Sequence, residues 1–497
     1  MEVYLDAVLT IFELQNLISI IAGVTIGIII GAIPGLGAVT AIAAILPITF
    51  KLDPVTGIML LLGVFCGATY GGSISATLIH TPGTPSAAAT LFDAYPMAQK
   101  GRAGNALAYG VISSGIGGLF SAFVLLFLGP LVAKWALKFG PPELFTLCLF
   151  GLTMVASIAG ASLLKGLIAS TLGLFFATIG QEPLTGIERF TFGNVDLLMG
   201  IGLVTILVGI YAGSEVLRLT ELIKKEGEIG LTKRVSIELP SFKEFKNQGR
   251  NFIWSAVIGT IIGIIPGIGA AIAGFISYGE AKRRSKYPEK FGTGIPDGIV
   301  ASETANNAVT GGALIPLLTL GIPGCPVAAI LLGALIMQGL YPGPKLFVEH
   351  QHVAYSLFVG LIVANIFMVG LGIMCIRFFA KVILIPKAIL IPLIIIFCTV
   401  SIYTIYSSIF QIWLFFFFVM FGYLFQKFGF PLGPIALGFV LGSLTEKTFR
   451  QTLIMFGGSF TFIYERPLVL ILLIITLLSL LRPLFLKWKE RNKQGQG

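Results

Sequence analysis

Residues 14–50, 54–92, 103–133, 144–164, 197–214, 251–279, 304–344 and 388–426 contain no Asp, Glu, Lys or Arg. Most of these runs exceed the roughly 18–20 apolar residues that a helix needs to cross a bilayer. The chain therefore reads as an all-α polytopic membrane protein, and its longest runs must hold two crossings or a hairpin. Only 11% of the 497 residues are charged and mean hydropathy is +0.95, against roughly 25% charged for a soluble domain.

The charge that remains sits in loops. Basic residues gather at Lys224 to Arg250, Lys282 to Lys290 and Arg482 to Lys493. In a soluble protein a net charge of +10 would point to nucleic acid; here it reads as positive-inside topology, with no nucleic-acid partner. The 218–250 linker and the C-terminal tail are then cytoplasmic and the acidic N-terminus (Glu2, Asp6, Glu13) external, with no cleavable leader expected. The five cysteines, Cys66, Cys148, Cys325, Cys375 and Cys398, lie in apolar runs at no metal-ligand spacing and read as small hydrophobes.

Two of the runs are broken in the same words. Residues 26–41 (IGIIIGAIPGLGAVTA) match 258–273 (IGTIIGIIPGIGAAIA) at 11 of 16 positions, 232 residues apart. TPGTPSAA at 81–88 answers IPGCPVAA at 322–329, at an offset of 241. Pro-Gly-x-Gly is among the worst sequences for a helix interior. Broken backbone is tolerated in lipid only where it is buried in protein or lines a cavity, because each unpaired amide costs several kcal/mol. A duplicated half with matched breaks is a known design of secondary transporters, with substrate near the midplane. We expect two repeats of inverted topology, 1–217 and 251–460, each with a broken helix and a re-entrant hairpin. A charged linker at 218–250 joins them, and an apolar helix and basic tail follow at 461–497.

The breaks carry the candidate site. In Thr81-Pro82-Gly83-Thr84-Pro85, Gly83 permits the turn, Thr84 is placed to cap and Pro85 to open a new helix. Pro323-Gly324-Cys325-Pro326 repeats the signal with a poorer cap. Helices starting at mid-depth present free amides and the positive end of their dipoles, which suits an anion without any Arg or Lys nearby. Candidate substrate-binding residues are Ser73, Thr81, Gly83, Thr84, Asn306, Asn307 and Gly324. Candidate ion-binding or helix-breaking residues are Pro34, Gly35, Gly37, Pro82, Pro266, Gly267, Gly269, Glu303 and Pro323.

Plainer readings stand beside several of these. Asn306-Asn307 would serve as a helix cap as readily as a ligand for a cation or a carboxylate, and Glu303 reads evenly as a loop acid or a cation ligand. The glycine pair beside Ser73 suits close helix packing. His80 is a satisfied polar residue or a proton carrier. Asp53-Pro54 reads as an N-cap with a first-turn proline, and Asp93-Ala-Tyr-Pro as a turn. No phosphate loop, HExxH or GxSxG is present, so ATP hydrolysis by that route is excluded. An intramembrane hydrolase built on Ser73 and His80 is the competing class. Alanine at Gly83 or Gly324 is expected to impair transport more than alanine at Gly117.

With PGLGA, TPGTPSAAATLFDAYPMAQKG, PGIGA, ASETANNAVTGGALIPLLTLGIPG and GFPLGPIALGFVLGSLTE in that order, the chain resembles the large membrane subunit of the tripartite tricarboxylate transporters, the TctA family, from about residue 15 to about 460. The resemblance implies a non-enzymatic permease of the bacterial cytoplasmic membrane, working with a small membrane subunit and a periplasmic solute-binding protein. Uptake of di- and tricarboxylates such as citrate would be driven by a cation gradient. Sodium is the first expectation and protons the rival; no other cofactor is implied. A standalone carboxylate exporter or a channel on the same fold is the alternative. His80 stands where the family commonly has Asn, Ala94 where it has Gly, Asp297 where it has Glu, and Ser302 where it has Pro.

Overall fold

The computed structural model describes residues 2–33, 35–158, 163–182, 185–223, 240, 242–265, 269–376, 378 and 387–478. The candidate residues Pro34, Pro266 and Gly267, most of the charged linker, and the tail from 479 lie outside the described residues. Up to residue 223 the helices are α1 (Glu2–Ile11), α2 (Leu14–Gly31), α3 (Gly37–Ile45), α4 (Pro54–Ile79), α5 (Leu91–Met97), α6 (Ala103–Ala136), α7 (Pro141–Ile158), α8 (Leu163–Ala177), α9 (Leu203–Val208) and α10 (Ser214–Ile223). Then come α11 (Phe242–Asn247), α12 (Gly249–Ile264), α13 (Gly269–Arg284), α14 (Pro296–Leu320), α15 (Pro326–Met337), α16 (Leu346–Glu349), α17 (Gln351–Met374), α18 (Lys387–Tyr406), α19 (Ile409–Lys427), α20 (Leu432–Met455), α21 (Phe462–Glu465) and α22 (Pro467–Leu478). Among the described residues, strand structure amounts to one two-residue pair, Gly180–Gln181 with Glu188–Arg189. Among the described residues six helical segments are long and apolar enough to cross a membrane, so the chain is an all-α polytopic membrane protein.

Two helices form the interior. Every residue of α4 from Val55 to Leu78, and of α14 from Gly298 to Thr319, is buried. This is why α14 can carry Glu303, Asn306 and Asn307: polar residues are tolerated in such a protein when they face protein rather than lipid. Asp53 caps α4, its carboxylate accepting from Val55 N at 3.0 Å ahead of Pro54, as the sequence indicates. Gly321 ends α14 in the left-handed region at φ 73°, and His80 ends α4 the same way at φ 55°. Glycine accepts that conformation freely; His and Asn are among the few other residues that enter it.

Helix pairs approach until backbone meets backbone. Gly23, Gly27 and Gly31 of α2 lie on the carbonyls of Leu60, Val64 and Ala68, where an added Cβ would sit 2.2–2.5 Å from oxygen. Gly63, Gly67 and Gly71 of α4 meet α2 in return. Spacing by four puts each trio on one helix face, the small-xxx-small packing that drives association in lipid. Gly259 lies on Ala305 O of α14 in the same manner, and Gly312 on Thr260 O of α12. Gly117 of α6 is seated against Thr304 O, 2.0 Å from its Cβ position, as tightly as Gly83 and Gly324 at 2.1 and 2.4 Å, so it is no neutral control for alanine at those two positions.

Both predicted breaks open the helix. After α2 the chain turns through Gly35 (φ 95°) and Gly37 (φ 56°) into α3; after α12 it resumes as α13 at Gly269 (φ 76°). The two hairpin tips differ. Pro326 starts a twelve-residue helix, whereas Pro85 starts only the 3-10 turn Pro85–Ala87, and the chain bends again before α5. Thr84 does not cap through its side chain, and its hydroxyl pairs with Ser86 Oγ at 2.8 Å instead. Asp93 is not in a turn but in the first turn of α5, where the loop before α14 and Tyr278 of α13 supply its partners.

Candidate functional site

The two tips and the two breaks converge on one cavity of about 210 Å³. Its wall comes from the start of α3 (Ala38, Val39), from Phe65 and Thr69 of α4, and from Thr84, Pro85 and Ser86. The rest is the start of α13 (Gly269 to Ala271), Asn306, Val309 and Thr310 of α14, and Cys325, Pro326 and Val327 at the start of α15. Three helix starts and the 3-10 turn at Pro85 therefore meet around one space, and among the described residues none of the lining side chains is charged. The first amides of a helix have no intrahelical acceptor. Neither α3 nor α15 has a side-chain cap to use them.

One lining side chain stands apart. Thr69 donates to Phe65 O at 2.7 Å and Thr310 to Asn307 O at 2.6 Å, each hydroxyl bound to its own helix. Asn306 is fully buried, and neither its Nδ2 nor its Oδ1 has a hydrogen-bond partner among the described residues. A buried amide left unpaired costs about 1–3 kcal/mol. An unpaired amide on a cavity wall is what a ligand site leaves to be satisfied by its ligand.

Other sequence candidates fall into distinct places. Thr84, Asn306 and Gly269 line the cavity, and Gly37 immediately precedes Ala38. Gly83 and Gly324 sit behind the tips, wedged on Gly31 O and Gly263 O, so their contribution in this arrangement is shape. Asn307 and Glu303 lie outside the cavity wall: Asn307 Nδ2 donates to Ser114 Oγ at 2.8 Å, and Ser114 donates to Glu303 Oε2 at 2.9 Å. Ser73 donates to Tyr70 O at 2.8 Å, and Thr81 is exposed with its hydroxyl on Ile79 O. Pro82 and Pro323 lie in the tip turns. His80 is exposed and stacks on Tyr95 with ring centroids 4.3 Å apart.

Sequence reasoning missed several residues. Phe65 and Thr69 are a helical turn apart, as are Asn306 and Thr310, so a face plot anchored on Asn306 would have found Thr310. The uncharged runs also gave no sign of a cation at the first break. Arg218 of α10 places Nη2 3.4 Å from the Cβ position of Gly35, while its guanidinium holds Glu215 at 2.6–3.0 Å. Asp93 is fully buried. Its Oδ1 accepts from Gly292 N (3.0 Å), Gly294 N (2.7 Å) and Ile295 N (3.1 Å), and its Oδ2 from the Tyr278 hydroxyl (2.9 Å). Nothing local predicts that grip, because its partners lie about 185 to 202 positions away.

Comparison with known proteins agrees with this architecture. The profile of the tripartite tricarboxylate transporter TctA family matches residues 17–437. An Agrobacterium vitis protein described as "Uncharacterized 52.8 kDa protein in TAR-I ttuC' 3'region" is 38% identical over 462 residues, covering 93% of this chain and 92% of that one. A second protein from the same organism, "Uncharacterized protein in TAR-II ttuC' 3'region", is 34% identical over 236 residues, 48% of this chain and 98% of its own length. No solved structure matches. With a pocket framed by broken helices and a profile match over nearly its whole length, the chain belongs to the tripartite tricarboxylate transporter TctA family and is a transporter subunit, not an enzyme.

Proposed function

We propose that this chain is the large permease subunit of a binding-protein-dependent importer of di- and tricarboxylates such as citrate. It works in the bacterial cytoplasmic membrane with a small membrane subunit and a periplasmic solute-binding protein, by sodium symport. The observation that carries the substrate class is the cavity at three helix starts and the 3-10 turn at Pro85, uncharged in its side chains and holding the unpartnered amide of Asn306. A carboxylate there meets backbone N–H groups, the positive ends of helix dipoles and the Nδ2 of Asn306, all donors fixed by the fold. Substrate that lacks a negative charge gains little from such a wall.

Alternating access follows from the same parts. The tips Thr84-Pro85 and Cys325-Pro326 both line the cavity, so displacement of one tip relative to the other would change access to it. Sodium supports the energetics because a cation offsets the charge of the anion carried.

The test is uptake of labelled di- and tricarboxylates into proteoliposomes holding this chain and its small membrane partner. Each acid is offered with and without the binding protein, under an inward sodium gradient and under a proton gradient alone. Uptake that needs both the binding protein and sodium is the expected result. Flux independent of the binding protein would replace this reading with a standalone exporter or channel, and the absence of flux for every acid would remove the substrate class.

A further inference from the structure

Glu303 is fully buried in α14, and among the described residues none of the ion pairs includes it. Its carboxylate instead gathers hydroxyls from the first half of the chain. Thr90 Oγ1 donates to Oε1 and Ser114 Oγ to Oε2 at 2.9 Å. Behind them, Thr90 Oγ1 lies 3.0 Å from Ser302 Oγ, and Ser114 accepts from Asn307 Nδ2 at 2.8 Å. Asn307 Nδ2 also donates to Glu303 O at 3.1 Å. A buried carboxylate facing only neutral dipoles is expensive, because hydroxyl donors replace part of its hydration but not its countercharge.

Two features point to what supplies that charge. First, the surroundings hold more oxygen than the hydrogen bonds use. The side chains of Thr304 and Asn307 belong to the same stretch of α14, and Thr304 Oγ1 and Asn307 Oδ1 are buried with no partner among the described residues; Tyr70, whose hydroxyl is likewise unpartnered, lies within electrostatic reach of Glu303. A proton on the carboxylate would use one of these oxygens; a hard metal cation takes several at once. Second, Asn307 adjoins the residue whose amide faces the cavity, so the two neighbouring amides of α14 look onto the two sites.

We infer that Glu303, with Thr90, Ser114 and Asn307, forms the binding site of the coupling cation, a sodium-class monovalent metal ion. The inference rests on the proposed cation symport and adds the place where the ion is held. Ion binding there supplies the countercharge to contacts that already join Thr90 and Ser114 of the first half to Glu303 and Asn307 of α14, and through the Asn306-Asn307 pair it sets the amide that meets the carboxylate. Substrate and ion then favour each other's binding across one turn of helix.

The experiment uses the full chain purified in detergent, with melting followed by intrinsic fluorescence as sodium replaces choline at constant ionic strength, and radiolabelled sodium binding measured in parallel. Wild type should show a saturable rise in melting temperature, as any ligand of the folded state produces. Glu303→Gln keeps the shape and the hydroxyl contacts but should raise the sodium half-saturation at least about tenfold. Ser114→Ala should raise it less, and Glu280→Gln, a carboxylate at the end of α13 paired with Arg283 and Arg284, should leave it unchanged. Should Glu303→Gln fail to fold, Glu303→Asp, which keeps the charge on a shorter arm, should weaken sodium binding in the same direction. Wild-type half-saturation in Glu303→Gln would overturn the site, as would a wild type that ignores sodium but melts in a pH-dependent way through Glu303. The two levels separate in the uptake assay. Sodium-driven uptake that Glu303→Gln leaves unaltered defeats the site alone, and wild-type uptake indifferent to sodium defeats the coupling reading beneath it.

Discussion

Alanine at Gly83 puts a methyl carbon 2.1 Å from Gly31 O, 2.7 Å from Ser75 Oγ and 2.9 Å from Gly72 Cα. A carbon and a carbonyl oxygen in comfortable contact lie about 3.3–3.6 Å apart, so the tip must retreat by more than about 1 Å. No rotamer relieves this, because the nearest obstacle is backbone of α2, itself locked onto α4 through Gly23, Gly27 and Gly31. Overpacking of this kind costs about 1–3 kcal/mol. Strain released by moving the tip displaces Thr84, the next residue, from the cavity wall and weakens substrate binding by about 5- to 100-fold. Gly324→Ala, with its methyl 2.4 Å from Gly263 O and 2.9 Å from Ala313 Cα, should behave alike. The control is Gly370→Ala, on an exposed face of α17 with open space around the added carbon, where alanine's helix preference should hold or raise the melting temperature. Melting in detergent and carboxylate uptake are read on all three. A Gly83→Ala protein with wild-type melting and wild-type uptake would refute the packing of the tip on α2.

Asn306→Leu should separate stability from function: it removes an amide that has no partner, so melting should stay level or rise, while carboxylate uptake falls at least about tenfold. Asp93→Ala leaves three backbone amides and the Tyr278 hydroxyl unpaired in a buried place, and melting should show a loss of about 3 kcal/mol or more, with Asp93→Asn losing less. At the charged end of α13, Arg283, hydrogen-bonded to Glu280, and Arg284 beside it hold the Glu280 carboxyl down to about 2 from its ordinary 4.5. A carboxyl held low in the folded state stabilises above its ordinary value and loses that contribution as pH falls through the folded one. A melting-temperature profile should therefore show wild type declining between pH 4.5 and 2, with a flatter acid limb in Glu280→Gln.

The parts of the molecule written in local sequence were legible. The Pro-Gly stretches mark where α2 ends at Gly31 and α12 at Ile264, with Gly35, Gly37 and Gly269 at positive φ, because φ/ψ limits act on the residue itself, and Asp53-Pro54 starts α4 for the same kind of reason. Asn306 was singled out because an amide in an uncharged run is conspicuous. What escaped was non-local. Thr84 reads as a cap until Ser86 is seen to hold its hydroxyl, and Asp93 reads as a turn residue until the amides of residues 292–295 close around it. Phe65, Val309 and Ala270 line the cavity with side chains indistinguishable from ordinary core, so no pattern marks them. His80 drew attention as an ionisable group, yet its place is set by backbone geometry, at a helix end that its counterpart closes with Gly321.

The glycine contacts between helices have a mechanical meaning. A helix pair separated by long side chains can slide, since rotamers change as one surface passes another. Where Gly117 of α6 rests on Thr304 O and Gly311 of α14 rests on Ser121, or where Gly173 of α8 and Gly438 of α20 rest on each other's backbones, there is no bearing layer to shear. Each such pair is held backbone to backbone, as a single beam. α6 and α14 come from opposite halves of the sequence, so this contact ties the halves together, and a movement that separated them would have to break it.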